Sequence, residues 1–213
     1  MSVENNSRLW LADALFQLDA VQFGEFTLGR TTVGSPVYIN VRRLIGHPSA
    51  LWRAAHVIHE EILALQSMRN PQVHPFDLVA GVPLGGLHIA TAYSLTAKVP
   101  MIYLHPSREG NEIEGVYQPN QTAIIMDDLV TGGGSILETA EKLREQGLYV
   151  RDAFVLIDRQ QGARERLLRA GINMRSCLTL EVILNHLRYT GRISDDWYKR
   201  SMDYLRSTIS GSE

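Results

Sequence analysis

One cysteine, Cys177, occurs in 213 residues. No internal disulfide is possible, and no zinc cluster can be assembled from thiolates. Charge of either sign is not in excess. The net charge of −2 gives no electrostatic case for binding nucleic acid or a membrane surface. No apolar stretch approaches the length of a membrane span. The opening MSVENNSRLW lacks a basic region followed by an apolar run, so no signal peptide is expected. Internal repeats, low-complexity tracts and linkers are missing, as are a helix-turn-helix and a basic extension, which disfavours a DNA-binding regulator. What remains is an ordinary globular composition, 45% hydrophobic and 21% charged. The chain is long enough for one sizeable core and marginal for two domains. A cytoplasmic enzyme is the expectation.

The hydrophobic pattern predicts a helix over 7–20, strands over 23–28 and 36–41 around the turn GRTTVGS, and a helix over 49–66. A polar connection over 67–76 precedes a short apolar strand, DLVAGV. A turn and helix (83–97), a strand (VPMIYLH) and a polar, Gly-rich candidate mobile loop (106–121) follow. Next come the strand TAIIMDD, a helix from Ser135 to about Gln146, the strand RDAFVLID and a helix over 161–170. A short strand over 173–179 and helices over 180–188 and 194–209 end the chain. Strands alternate with helices from residue 77 to about 179. That rhythm implies βαβ units with right-handed crossovers and a parallel sheet. The first 45 residues do not follow it. They are expected to form a small hood over the carboxyl edge of the sheet, where ligands bind in such folds.

The most informative stretch is TAIIMDDLVTGGGS, residues 122–135. An apolar run ends in Asp127 and Asp128. Leu129 and Val130 follow, then Thr131, Gly132, Gly133, Gly134 and Ser135, and then a helical pattern. Glycines let backbone N–H groups converge on an anion, and a helix start adds partial positive charge. Two hydroxyls add donors. The acid pair suits ribose hydroxyls or a divalent cation shared with a phosphate. A P-loop is excluded because no Gly-Lys-Ser/Thr ends the turn, and a dinucleotide fingerprint because G-x-G-x-x-G is absent. A glycine turn alone is read equally well as a structural turn. The adjacent carboxylates argue for a site, because they repel each other and need a purpose or full solvation.

A second strand–turn–helix unit, AGVPLGGLHIA, carries Pro83-Leu84-Gly85-Gly86. By itself it is plain turn chemistry. Beside the acid-pair loop it gains weight as a cradle for another phosphate group. Arg159, in LIDRQQGARERL, would be surface decoration paired with Asp158 if it stood alone. Its guanidinium fork also suits a planar carboxylate or carbonyl edge.

The 122–135 stretch resembles the motif by which type I phosphoribosyltransferases bind 5-phosphoribosyl 1-diphosphate (PRPP), with Gly132 where Thr or Ala is more usual. Phe26, Leu28, Ser35, Pro36, Tyr38, Asn40 and Arg42 resemble the N-terminal signature of orotate phosphoribosyltransferases, and Arg159 resembles that family's ring-facing arginine. The similarity runs from about residue 9 to 193. It implies an α/β type I phosphoribosyltransferase fold, a central, mainly parallel sheet flanked by helices, with residues 1–213 forming one domain and about 1–45 its hood. It implies transfer of phosphoribosyl from PRPP to orotate with Mg²⁺, and a homodimer with shared active sites. Asp127 and Asp128 would hold the ribose hydroxyls, and the 131–135 loop the 5′-phosphate. Leu84 and Gly85, with the metal, would take the pyrophosphate. His105 and Arg30 would touch PRPP. Arg159, with Thr131, Tyr38 and Ile39, would hold orotate.

The resemblance breaks at two cationic positions. Gly29 stands where the family has lysine, leaving Arg30 as the nearest cation. After VPMIYLH, His105 and Pro106 replace an Arg-Lys pair in a shortened loop whose one permanent cation is Arg108. Lysine is absent from 99–141. Cations on departing pyrophosphate offset its developing charge, and one such lost contact costs about 10²–10³ in rate. Either Arg108, or Mg²⁺ alone, suffices for catalysis, or the chain is a PRPP or nucleotide sensor on the same fold. A phosphoribosyltransferase for another acidic base is a third reading.

Overall fold

The computed structural model describes residues 3–28, 32–106 and 113–210. Helix α1 (Val3–Gln17) leads into an antiparallel hairpin, β1 (Val21–Leu28) and β2 (Thr32–Ile39), then a 3-10 turn (Val41–Gly46) and helix α2 (Pro48–Ser67). Proline at the first position of α2 suits a helix start, where its missing N–H costs nothing. Then come β3 (Leu78–Gly81), α3 (Gly85–Ala97), β4 (Met101–Leu104), β5 (Ile113–Glu114) and β6 (Thr122–Val130). The chain closes with α4 (Gly134–Glu145), β7 (Tyr149–Asp158), α5 (Ala163–Arg169), β8 (Asn173–Thr179), α6 (Leu180–Tyr189) and α7 (Asp195–Ser210).

The main sheet has the order β5-β4-β3-β6-β7-β8, and every pair is parallel except the edge pair β4–β5. Both faces are buried, and alternation along the strands divides them. Val79, Ile124, Met126, Phe154 and Leu156 pack with Leu11 and Leu15 of α1, Ile58 and Ile62 of α2, and Ile89 of α3. Leu78, Ala80, Ala123, Ile125, Ala153 and Val155 pack with Ile136 and Leu143 of α4 and Leu167 of α5. This is the near-continuous apolar reading expected of a doubly covered parallel sheet.

The chain leaves β3 through α3 toward β4 on one side. It leaves β6 through α4 toward β7 on the other. The sheet order therefore reverses between β3 and β6, and a crevice opens at their carboxyl ends. The two glycine turns, 83–86 and 131–134, both lie there.

Some boundaries differ from those the pattern predicts. Strand β2 begins at Thr32, so the described part of the anticipated turn, 32–35, is strand, Leu28 facing Thr32 and Phe26 facing Ser35, and 29–31 lie outside the described residues. Strand β6 runs past the acid pair to Val130, because Asp127, Leu129 and Val130 keep partners on β7 (Val155, Ile157 and Asp158). Two residues of the candidate mobile loop, Ile113 and Glu114, pair with β4 as β5. Helix α1 starts at Val3, before the expected position.

Candidate active site

Alternation along β6 sends the two carboxylates to opposite faces. Asp128 follows Met126 toward α3, and Asp127 follows Ile125. The close approach of α3 to this strand requires glycine. A Cβ at Gly85 would stand 2.4 Å from Asp128 Oδ1, and one at Gly86 would stand 2.4 Å from the Met126 carbonyl oxygen. The turn into α3 carries a cis peptide bond between Pro83 and Leu84. The Val82 N–H donates to the Met126 carbonyl at 3.0 Å, fixing the turn against β6.

Beyond β6, Gly133 adopts φ +74° and starts α4 without any side-chain cap. Among the described residues the α4 N-terminus thus has no side-chain cap, and Ser135 of its first turn borders the crevice, an arrangement that favours an anion. Thr131 borders it as well.

Asp127 is buried, and its Oδ1 accepts the Asp128 backbone N–H at 2.9 Å. Burial, reinforced by the charge of Asp128, holds the Asp127 carboxyl well above the usual carboxylate range. The site stores an unmet demand for a donor or a cation. Arg159 follows β7, its N–H donating to the Val130 carbonyl at 3.0 Å. The side chain is 3% exposed, and Nη2 donates to Ser35 Oγ (3.0 Å) and to the Val37 carbonyl (3.3 Å) of β2. Burial lowers its pKa, against the opposing influence of Tyr204. Among the described residues its Nε has no partner. The surface pairing with Asp158 is not what forms. Asp158 takes Arg164 Nε at 2.8 Å and the Gln160 N–H at 2.7 Å, leaving Arg159 free to turn inward.

These groups line one cavity of about 370 Å³, within the range of small-molecule sites. Of the residues expected from sequence, Tyr38, Ile39, Gly85, Asp127, Asp128, Leu129, Thr131, Ser135 and Arg159 border it. The others stand elsewhere. Val130 is buried among the α4 and α5 side chains, since alternation turns it from the crevice. The lining does not include Gly132, Gly133 or Gly134, which form the turn, and a Cβ at Gly133 would meet Leu167 and Ala163. The Leu84 side chain is 66% exposed and borders a separate apolar groove with Leu51, Leu87 and Leu95. His105 lies just past β4, outside the cavity lining. Arg30 and Arg108 lie outside the described residues.

Asn40, Arg42, Val82 and Pro83 also line the cavity. Asn40 and Arg42 belong to the matched signature, but no role followed from their spacing. The 3-10 turn after β2 is what brings both to the crevice. Asn40 Oδ1 is buried and has no partner among the described residues, a second unmet polar demand. Among the described residues no group of three or more His, Cys, Asp or Glu side chains is placed to hold a metal ion, and no helix is long and apolar enough to cross a membrane.

No family model matches the chain. It is 39% identical over 177 residues to an orotate phosphoribosyltransferase of Caenorhabditis elegans, covering 81% of this chain and 74% of that one. It is 35% identical over 200 residues to the uridine 5′-monophosphate synthase of Bos taurus, covering 92% of this chain and only 40% of that relative. The chain thus spans less than half of the bovine protein. Among solved structures, the orotate phosphoribosyltransferase of Aeropyrum pernix superposes with a TM-score of 0.69 at 34% identity, covering 85% of this chain and 99% of that one.

Proposed function

The chain belongs to the orotate phosphoribosyltransferase family, and on that premise we propose that its cavity joins orotate to C1 of PRPP, giving orotidine 5′-monophosphate and pyrophosphate in pyrimidine nucleotide biosynthesis. It is an enzyme of the pentosyltransferase class on the type I phosphoribosyltransferase fold. The observation that carries the substrate reading is the meeting, in one cavity, of the acid pair, the α4 N-terminus and the inward-turned Arg159.

In this reading Thr131, Ser135 and the first N–H groups of α4 hold the 5′-phosphate. Asp127 and Asp128 accept the ribose hydroxyls, and those donors meet the demand created by burying Asp127. Arg159 faces the planar acid with its unpartnered Nε, and the backbone groups of Tyr38 and Ile39 near it help to hold the ring. The C1–O bond to pyrophosphate breaks with its electron pair on the leaving oxygen. Orotate N1 forms the new bond to C1, and its proton passes to solvent. Orotate N1 is acidic enough that no strong base is required.

Two carboxylates are too few for an all-protein Mg²⁺ cage, but Mg²⁺ is ordinarily held through one or two carboxylates and substrate phosphates. Asp127 and Asp128 fit that mode. The bound ion supplies positive charge to the pyrophosphate. We read residues 1–213 as one domain, with the hairpin region up to about residue 45 as a hood over the crevice and the protein as cytoplasmic. A homodimer belongs to the same reading. The apolar groove on α3, with exposed Leu84 and Leu95 and with Leu51 on α2, supports it, and Leu84 joins that groove to the site loop. Light scattering giving a monomer at micromolar concentration would remove the dimer.

The test is loss of orotate absorbance with PRPP and Mg²⁺. Turnover that collapses in Asp128→Asn is expected. PRPP binding by calorimetry without any turnover would instead make the chain a sensor.

A further inference from the structure

The reaction read above places one more unit of negative charge on pyrophosphate as the C1–O bond breaks, and a cation must meet it. The chain has three lysines, Lys98, Lys142 and Lys199, and none lies between residues 99 and 141. Among the described residues two permanent cations border the cavity, Arg159 and Arg42. Arg159 is buried and bonded to Ser35 and Val37. Arg42 differs on each count. It is exposed, and among the described residues its guanidinium makes no hydrogen bond or ion pair. Its neighbour Arg43 is anchored, donating to the Leu18 carbonyl at 3.1 Å and lying 3.9 Å from Asp19.

The position of Arg42 follows from the chain path. The 3-10 turn packs on α3 and β6, the two elements whose ends form the crevice. Arg42 therefore shares the cavity wall with Pro83, Gly85 and Asp128 rather than with the α4 N-terminus alone. His88, one turn into α3, lies within electrostatic range of both Arg42 and Asp128. Its pKa is lowered chiefly by burial and further by Arg42, while Asp128 raises it. Arg42 is thus a free guanidinium at the rim of the 83–86 turn, on the side where a second phosphate group would sit.

We propose that Arg42 is a catalytic residue that binds the pyrophosphate of PRPP and offsets its charge as it leaves, in the role that the lysine-poor 106–121 segment does not fill with lysine. This rests on the phosphoribosyl-transfer reading given above. A guanidinium fork engages two phosphate oxygens at once, so it gains as charge accumulates on the leaving group.

The experiment compares the native protein with Arg42→Gln, Arg42→Lys and Arg43→Gln. The probes are Mg²⁺–pyrophosphate, as a calorimetric ligand and as a product inhibitor, and forward turnover of orotate with PRPP. Arg42→Gln should weaken pyrophosphate about 10-fold or more and lower kcat by about 10²-fold. The KM for orotate and the melting temperature should stay near native values, because Arg42 is exposed and unpaired. Arg42→Lys should recover part of the loss, since lysine keeps the charge without the fork. Arg43→Gln should match the native protein. Native pyrophosphate affinity and native kcat in Arg42→Gln would overturn the assignment. If the native protein binds pyrophosphate but does not turn over, the transfer reading falls. The calorimetric comparison then decides the binding role of Arg42 by itself, and an unchanged affinity in Arg42→Gln refutes it. A native protein that binds no pyrophosphate refutes both.

Discussion

Replacing Gly85 by alanine adds one methyl group where the helix α3 start meets the acid pair. The new Cβ would lie 2.4 Å from Asp128 Oδ1, 2.8 Å from Cγ and 2.9 Å from Oδ2. Ordinary contact is about 3.5 Å, so the carboxylate must retreat by about 1 Å. It is the end of a side chain on a half-buried residue, and a rotation of χ1 can absorb the clash. The folding cost is therefore about 1 kcal/mol. The functional cost is larger. A carboxylate displaced by about 1 Å no longer meets the ribose hydroxyls, and such a misplacement costs about 10²-fold in kcat/KM, or roughly 2.7 kcal/mol of transition-state binding. Gly86→Ala provides the contrast. There the Cβ meets the Met126 carbonyl oxygen at 2.4 Å and Asp127 Cα at 3.0 Å, both backbone. That carbonyl also accepts the Val82 N–H. No rotation relieves the clash, so α3 must lift from β6 at a cost of about 3 kcal/mol in stability. Urea unfolding and steady-state kinetics with PRPP as the varied substrate separate the two effects. Native kcat/KM in Gly85→Ala, or equal destabilisation by both alanines, would refute the reasoning.

Three further perturbations address other parts of the site and its support. Asp127 has a folded pKa raised above its unfolded value, first by burial and then by Asp128. Its contribution to stability is therefore complete below the ordinary carboxylate pKa of about 4 and is lost as pH rises through the raised folded value. Asp127→Asn, neutral throughout, should melt higher than the native protein at pH 8 without ligand, with the gap closing toward pH 5, and should lose turnover. A lower melting temperature at pH 8 would contradict this. Arg159→Ala removes the donor to Ser35 and Val37 and the partner of the planar acid. The KM for orotate should rise about 100-fold, by the loss of charged hydrogen bonds of roughly 1.5–3 kcal/mol. PRPP affinity measured by calorimetry should stay within about threefold, and an equal loss for both substrates would count against the division of the cavity. Asp152 lies at the other end of β7, where it accepts the His74 N–H (2.9 Å), His74 Nδ1 (2.8 Å) and Asn173 Nδ2 (3.4 Å). Asp152→Ala should cost about 2–3 kcal/mol in urea unfolding with unchanged kcat/KM, because it unties the 68–77 connection from the sheet far from the crevice.

How much of this was legible in the sequence depends on whether the cause is local. The apolar runs of β3, β6 and β7 announce strands covered on both faces. The change from those runs to glycine and then to a helical period announces both turns. Asp127 and Asp128 could be singled out because adjacent acids after an apolar run conflict with their surroundings unless a ligand relieves them. Other causes are tertiary. The continuation of β6 to Val130 depends on β7 lying alongside. The need for glycine at 85 and 86 is set by the separation of α3 from β6. The same holds for Arg159 as read from its own residues. DRQQG at a helix start suggests a surface pair between Asp158 and Arg159, yet Arg164, in the first turn of α5, reaches Asp158 and also donates to Ser176 at 2.9 Å. That substitution of partners frees Arg159 to be buried against Ser35, 124 positions away in the chain.

The two arginines of the cavity show why chemistry cannot be assigned by residue type alone. Arg159 and Arg42 carry the same fork, but their surroundings divide the labour. Burial makes Arg159 costly to leave unpaired, so β2 holds its Nη2 with a hydroxyl and a carbonyl, and the unpartnered Nε–H remains to discriminate a planar acid. Such a group moves little and suits recognition of a substrate that keeps its charge throughout the reaction. Arg42 is exposed and unbonded among the described residues. It loses little when the site is empty and gains most when negative charge appears beside it. A group of that kind suits a leaving group, whose charge grows along the reaction, because its contribution is larger in the transition state than in the ground state. A depleted lysine loop therefore does not by itself imply a lost activity. The discriminating quantity is the ratio of the effect on kcat to the effect on substrate binding. It should be large for Arg42→Gln and small for Arg159→Ala, and equal ratios would mean that the difference in burial has no catalytic meaning.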